Sequence, residues 1–245
     1  MASAGYDPAT ADLQHGAFDC HAMRDMFQAV RASGAAPMAR MPWLDAGAVM
    51  KALDAGAYGV ICLMVNSRAE AECLVSHVRH PPYGTRSFGP TRANFSAGPN
   101  YGEEADGNVI CLAMIETRDA FDRVEEIAAT PGLDGLYVGP ADLTLGLTGR
   151  KYRAGFDRKE PEMVEAPHRV RDAAHAAGAG ASAKPRSPEV RPRSRREPGS
   201  TDRAARPRRR RPTVARGIVA RLTVNDGPLI TKGNAGNCGF AAFPH

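Results

Sequence analysis

Along residues 1–175, short apolar runs alternate with stretches whose apolar positions recur every three or four residues. That is the pattern of βα units around a parallel sheet. The clearest run is Gly59–Val65, continuous and apolar, as a strand covered on both faces must be. Tyr6–Leu13, Pro37–Met41, Val109–Ile115 and Leu136–Val138 read as further strands. Helices are predicted between them. Asp19 is placed to cap one whose apolar face is Met23, Met26, Phe27 and Val30, with Gly34 as its stop. Asp45 caps a second, with Val49, Met50 and Leu53 inward and Gly56 at its end. Ser67 and Glu70 form a capping-box pattern ahead of Ala71, Leu74, Val75 and Val78, and Pro81-Pro82 stops that helix. Ala120, Phe121, Val124 and Ile127 mark another helix, and Val164–Ala177 a last one. Residues 83–108 are rich in Gly, Pro and Asn and read as a long loop, a kind of segment that is often functional.

Near Gly178 the periodicity stops. Residues 184–213 hold 12 Lys/Arg and 6 Pro, with only Val190, Ala204 and Ala205 as hydrophobic residues. Such a composition cannot bury a core and predicts disorder. An apolar run returns at Gly217–Val224, ahead of Asn225-Asp226-Gly227. Three segments follow: a folded body over 1–177, a basic Arg/Pro-rich segment over 178–216, and a candidate strand and tail over 217–245. The division changes the meaning of the net charge of +5, because residues 184–221 alone carry +11 and the remainder carries −6. The basic segment has no aromatic residue for stacking on bases and no nucleic-acid-binding motif. At most it would bind phosphates non-specifically, and no specific nucleic acid is expected as a partner.

The chain of 245 residues suits one large domain or two small ones, and 43 % hydrophobic with 24 % charged residues excludes a wholly disordered chain. No apolar run reaches the roughly 18 residues of a membrane span, and the N-terminal residues lack the basic and apolar regions of a secretory signal. Five cysteines, at 20, 62, 73, 111 and 238, include no CxxC pair. An odd, scattered set argues against a disulfide framework or a zinc knuckle and predicts a reducing, cytoplasmic setting.

Asp12, His15, Arg40, Glu116 and Asp142 stand at or just after the C-terminal ends of predicted strands, where a parallel barrel carries its catalytic groups. Singly, each has a structural reading. The aspartates suit helix caps, Glu116 a surface acid, His15 a loop residue and Arg40 an ion-pair partner. Their shared position after successive strands favours a site. Glu116 and Asp142 suit a hard divalent cation, Mg²⁺ or Mn²⁺, which takes one or two carboxylates and fills its other positions with water and substrate oxygens. Gly139-Pro140-Ala141, before Asp142, are expected to bring backbone N–H groups close to an anion. Arg40 can stabilise a developing oxyanion. His15, oriented by Asp12, can shuttle protons near neutral pH. Together these suit enolate chemistry on a small 2-oxo acid.

The segments GYDPATADLQHG, PMARMPW, ALDAGAYGVICLMVNSRAEAE, HPPYGTRSFGPTRA and MIETRDAFDRVEEIAATPGLDGLYVGPADLTLGL occur in order over about residues 5–177. In them the chain resembles the HpcH/HpaI aldolase/citrate lyase family of class II pyruvate aldolases. The resemblance implies a TIM (β/α)8 barrel, assembled as a homo-oligomer, usually a hexamer. It implies a metal held by Glu116 and Asp142, an enolate-stabilising Arg40 and an acid/base pair of His15 and Asp12. It also implies substrates that are split into pyruvate and an aldehyde, without a Schiff-base lysine. Gln14 and Met114 depart from residues common in the family and bear on substrate preference.

The larger departures lie at the ends. The family pattern has a strand and helix before G-Y-D, and the Arg/Pro-rich segment stands where a seventh strand is expected. An incomplete barrel is therefore expected, with GIVARLTVNDGPLITKG resembling the eighth strand. The interruption suggests two compensating frameshifts, an idea that fails if the other reading frames across 178–216 encode no family-like sequence. Two alternatives stand beside the aldolase: a catalytically impaired relative with a basic segment that binds nucleic acid non-specifically, and a citrate-lyase-type CoA-thioester lyase.

Overall fold

The computed structural model describes residues 8–156, 158–180 and 240–242. Its centre is one six-stranded sheet: β1 (Pro8–Asp12), β2 (Ala36–Arg40), β3 (Gly59–Cys62), β4 (Ile110–Ile115), β5 (Gly135–Val138) and β6 (Phe240–Ala242), in that spatial order. The first five strands are parallel, and β6 runs antiparallel to β5. The α/β class with a parallel sheet is as expected. The antiparallel β6 is not, since a (β/α)8 barrel is parallel throughout. Nothing in the sequence of residues 240–242 singled out a strand. The predicted strand at Gly217–Val224, the basic segment 184–213 and Cys238 lie outside the described residues.

Helices α1 (Cys20–Ala32), α2 (Ala46–Asp54) and α3 (Arg68–Val78) begin at the predicted caps. Asp19 accepts from the N–H groups of His21 and Ala22, Asp45 from Ala48, and Ser67 from Glu70, each satisfying a donor that the first helical turn leaves free. The capping box at Ser67 is half formed. The Glu70 carboxylate takes the N–H of Asn66 at 2.5 Å, one residue before the cap.

The segment 83–108 corrects an expectation. It is not a loop throughout but holds α4 (Thr91–Ala97) and α5 (Tyr101–Asn108). Neither has a side-chain cap, so no start signal marked them in the sequence. Buried Ala93, Tyr101 and Ala105 anchor them to the core. After β4 come α6 (Arg118–Asp122) and α7 (Val124–Ala128), after β5 comes α8 (Pro140–Thr148), and α9 (Pro161–Gly180) packs against α7 and β5.

The period-two alternation of the strands divides the buried apolar residues into two sets. Ala39, Val60, Cys62, Cys111, Ala113, Ile115, Leu136 and Val138 join Phe27, Leu53, Leu74, Ile127 and Val170 of the helices in the larger core. Ala36, Met38, Ile61, Leu63, Ile110, Leu112 and Met114 form a smaller cluster drawn only from strands and their flanks. Gly59 lets this second cluster close. A Cβ there would lie 2.9 Å from both Ile110 Cβ and Met38 Cε. Continuing the alternation past the last core residue of each strand puts Asp12, Arg40 and Glu116 on the face of the smaller cluster, at the C-terminal edge.

Candidate active site

In-register pairing sets Asp12 of β1 opposite Arg40 of β2. Arg40 Nε donates to Asp12 Oδ1 at 2.8 Å, and Nη2 donates to Oδ2, the two-pronged geometry that a guanidinium and a carboxylate share. Asp12 Oδ1 also accepts the backbone N–H groups of Gln14 and His15, at 3.0 and 3.2 Å. Burial alone would favour the neutral acid. The bond and charge of Arg40 and the two N–H donors outweigh it and hold the Asp12 carboxyl below its usual range.

The expected orientation of the His15 ring by Asp12 is therefore not what the fold builds. His15 is exposed, and its hydrogen bond to Asp12 runs through its backbone N–H rather than its imidazole. The physical reason is competition. A neighbouring-strand guanidinium in register occupies both carboxylate oxygens before a loop imidazole can reach them.

Glu116, immediately after β4, is only 3 % exposed. Its Oε1 accepts the backbone N–H of Met64 at 2.8 Å. Burial pushes its carboxyl up to about 7, with the Met64 N–H opposing, the negative charge of Asp142 adding to the rise and Arg40 opposing it. Asp142 itself is exposed, in the first turn of α8. Gly139, which caps α8, permits the approach of the two chains. A Cβ on it would lie 2.8 Å from Glu116 Cβ and Oε2 and 3.3 Å from Met114 Sδ.

The expected anion cradle at 139–141 is smaller than the sequence suggested. The N–H of Gly139 is spent on the Ile115 carbonyl at 3.1 Å. Pro140 has none, because its nitrogen closes the ring. Ala141 alone of the three retains a first-turn N–H without an intrahelical acceptor.

The fold thus brings Asp12, Arg40, Glu116, Gly139 and Asp142 to one place and leaves His15 at its exposed margin. Among the described residues no group of three or more His, Cys, Asp or Glu could hold a metal ion. A cation here would rest on two carboxylates. That fits a hard ion whose remaining ligands are water and substrate oxygens, and a positive charge between Glu116 and Asp142 would offset both the burial of Glu116 and the repulsion that Asp142 adds.

Two participants were not foreseen. Met64 falls inside the apolar run 59–65, yet β3 ends at Cys62 and Met64 adopts φ 54°, a left-handed conformation uncommon for a residue with a side chain. Asn66 donates from Nδ2 to the Met64 carbonyl at 2.8 Å and accepts from the Thr117 hydroxyl through Oδ1. The only sequence signal was an Asn beside the Ser67 cap, which reads as ordinary loop chemistry.

The sequence profile of the HpcH/HpaI aldolase/citrate lyase family matches residues 1–188. The chain belongs to the HpcH/HpaI aldolase/citrate lyase family. Within it, the chain is 43 % identical over 178 residues to a hydroxypyruvate/pyruvate aldolase of Rhizorhabdus wittichii, covering 73 % of this chain and 70 % of that relative. It is 35 % identical over 143 residues to a 2-dehydro-3,6-dideoxy-6-sulfogluconate aldolase of Pseudomonas putida, covering 58 % of this chain and 56 % of the relative. A solved family member from Burkholderia cenocepacia superposes with a TM-score of 0.64 at 32 % identity, over 72 % of this chain and 70 % of that one. Membership and aldolase relatives at this identity make the chain an enzyme of the aldolase lyase type.

Proposed function

We propose that the chain is a divalent-cation-dependent class II aldolase that cleaves a 4-hydroxy-2-oxo acid to pyruvate and an aldehyde. The observation that carries this reading is Glu116: a carboxylate 3 % exposed at a strand end, facing the charges of Asp142 and Arg40. Glu116 and Asp142 would hold Mg²⁺ or Mn²⁺, which when bound supplies Lewis-acid polarisation of the substrate's 2-oxo group. Arg40, locked in direction by both oxygens of Asp12, presents a fixed positive charge to the oxygen on which negative charge develops. Because Arg40 is already aimed, little reorganisation is needed as that charge appears. His15, exposed and with its ring outside the Asp12–Arg40 pair, can take the proton of the 4-hydroxyl group. Loss of that proton lets the C3–C4 bond break, its electron pair passing toward the 2-oxo oxygen. The aldehyde leaves, and protonation at C3 gives pyruvate.

The body of residues 1–177 would be an incomplete (β/α)8 barrel, supported by five successive parallel strands with the site at their C-terminal edge. A homo-oligomer would give cover to Tyr83, Phe88 and Phe95, which are 55 %, 68 % and 91 % exposed. No helix among the described residues is long and apolar enough to cross a membrane.

The test needs no aldehyde. NMR should show C3 proton–deuteron exchange of pyruvate that requires Mg²⁺ or Mn²⁺ and disappears in Glu116→Ala. Exchange that persists in that variant would remove Glu116 from the chemistry and this reading with it.

A further inference from the structure

Glu116 is held by a structure that begins in another strand's loop. The chain leaves β3 at Cys62, turns through Met64 at φ 54°, and so aims the Met64 N–H at Glu116 Oε1, 2.8 Å away. A non-glycine residue in this region is strained and persists only where its surroundings over-determine it. Here the over-determination converges on Asn66. Its Nδ2 holds the carbonyl of Met64 at 2.8 Å, and its Oδ1 accepts the hydroxyl of Thr117, the residue directly after Glu116. Its backbone is fixed as well, the N–H by Glu70 Oε2 at 2.5 Å and the carbonyl by Arg123 Nη1 at 3.2 Å. Thr117 is tied at its other side, since its hydroxyl oxygen accepts the Ala120 N–H at 3.0 Å and caps α6.

We infer that Asn66 is a positioning residue, whose amide spans the β3 and β4 loops and sets the direction in which Glu116 presents its carboxylate to a bound cation. The inference rests on the reading of Glu116 as a cation ligand. The amide is suited to this in a way a carboxylate is not, because it donates to one loop and accepts from the other. Removing it releases the Met64 carbonyl and takes away the acceptor of the Thr117 hydroxyl. The Glu116 carboxylate then keeps its burial but loses the N–H that orients it. Partners of this kind, one step behind a ligand, typically change metal affinity by about 10–100-fold when removed.

The test uses Mn²⁺ alone, followed by the free-ion EPR signal, on the full chain. Asn66→Ala and the near-isosteric Asn66→Asp, which sets an oxygen against the Met64 carbonyl, should each weaken Mn²⁺ binding by about 10-fold or more. Thr117→Val should weaken it too, and Thr117→Ser, which keeps the hydroxyl, should restore it. At saturating Mn²⁺ the pyruvate exchange rate of Asn66→Asp should recover, and the Met64 amide should exchange with deuterium faster than in the wild type. The Mn²⁺ affinities would stand still if Asn66 only stiffened the loop, whereas the Met64 amide exchange would rise in either case. Wild-type Mn²⁺ affinity in both folded Asn66 variants, with binding lost in Glu116→Ala, would overturn the inference alone. Unchanged Mn²⁺ binding in Glu116→Ala would instead overturn the reading on which it rests.

Discussion

At the N-terminal edge of the sheet, Arg79 lies between the starts of β4 and β5 and donates to the Val109 carbonyl at 2.7 Å, the Gly132 carbonyl at 2.9 Å and Asp134 Oδ2 at 2.6 Å. Asp134 in turn accepts the Cys111 N–H at 2.9 Å. Nearby, Arg86, with a fully buried side chain, pairs with Asp54 at 2.7 Å. At the C-terminal edge, Glu116 is as deeply buried as Arg86 but has one backbone donor and a second carboxylate in range. The two edges of the same strands thus handle buried charge in opposite ways. One neutralises it in place, which holds the strands together. The other leaves Glu116 facing a second carboxylate and gives it a backbone N–H from a left-handed turn. That contrast is what the proposed function predicts, since barrel enzymes keep stability and chemistry at opposite ends of their strands.

The comparison can be broken at either edge. The largest loss of stability should come from Arg79→Leu, which strands Asp134 and two carbonyls. Removing one partner of such a buried pair costs about 3–5 kcal/mol, to be read as a lower urea midpoint. Glu116→Gln should do the reverse. It removes a carboxylate that burial and Asp142 disfavour, so the urea midpoint in EDTA should hold or rise while Mn²⁺ binding is lost. A large fall in stability there would mean that Glu116 is structural and the contrast between edges is false.

A smaller effect belongs to Asp12. Burial opposes its ionisation, but Arg40 and the His15 and Gln14 N–H groups hold the folded carboxyl below the ordinary value of 3.8. A depressed folded value means that the unfolded chain takes up the proton first. The stabilisation is therefore complete above the unfolded value and is lost as pH falls through the folded one. Urea midpoints between pH 6 and 3 should decline less steeply in Asp12→Asn than in the wild type.

The finest distinction concerns two cysteines in the core. Burial first, and the charge of Glu116 next, push the Cys62 thiol up to about 12. Burial likewise raises Cys111, whereas Cys20 and Cys73 are exposed. Iodoacetamide at pH 8 should label Cys20 and Cys73 on the order of 100-fold faster than Cys62, because the thiolate is the reactive form. Peptide mapping over time reads this, and comparable labelling of Cys62 would show that the C-terminal edge is wetter than its burial implies.

Much of this architecture is legible in the sequence, because its signals are local. Caps at Asp19, Asp45 and Ser67 act through their own next three residues, and continuous apolar runs at 59–65 and 109–115 exceed what any loop would carry. The helices α4 and α5 were illegible for the matching reason. They start at Pro90 and Asn100 without side-chain caps, in a composition of turn formers, and owe their shape to contacts with the core. The polar positions of the site were legible as strand-end residues. Their partners were not. The sequence places His15 three residues from Asp12, which suggests a pair, whereas the register of β1 and β2 delivers Arg40 from 28 residues away.

The sequence by itself determined the alternation of strands and helices, most of the residues that face the cores (Met26, read as inward, is 39 % exposed), and that the acidic and basic groups of the candidate site follow strands. These depend on spacing of two, or of three and four, along one chain. Only the tertiary structure decided that Asp12 binds Arg40, that Gly139 makes room for Glu116, that the Met64 N–H meets the Glu116 carboxylate, and that the Asn66 amide bridges Met64 and Thr117. Each of these is a contact between different loops, and strand register rather than distance along the chain sets which loops meet.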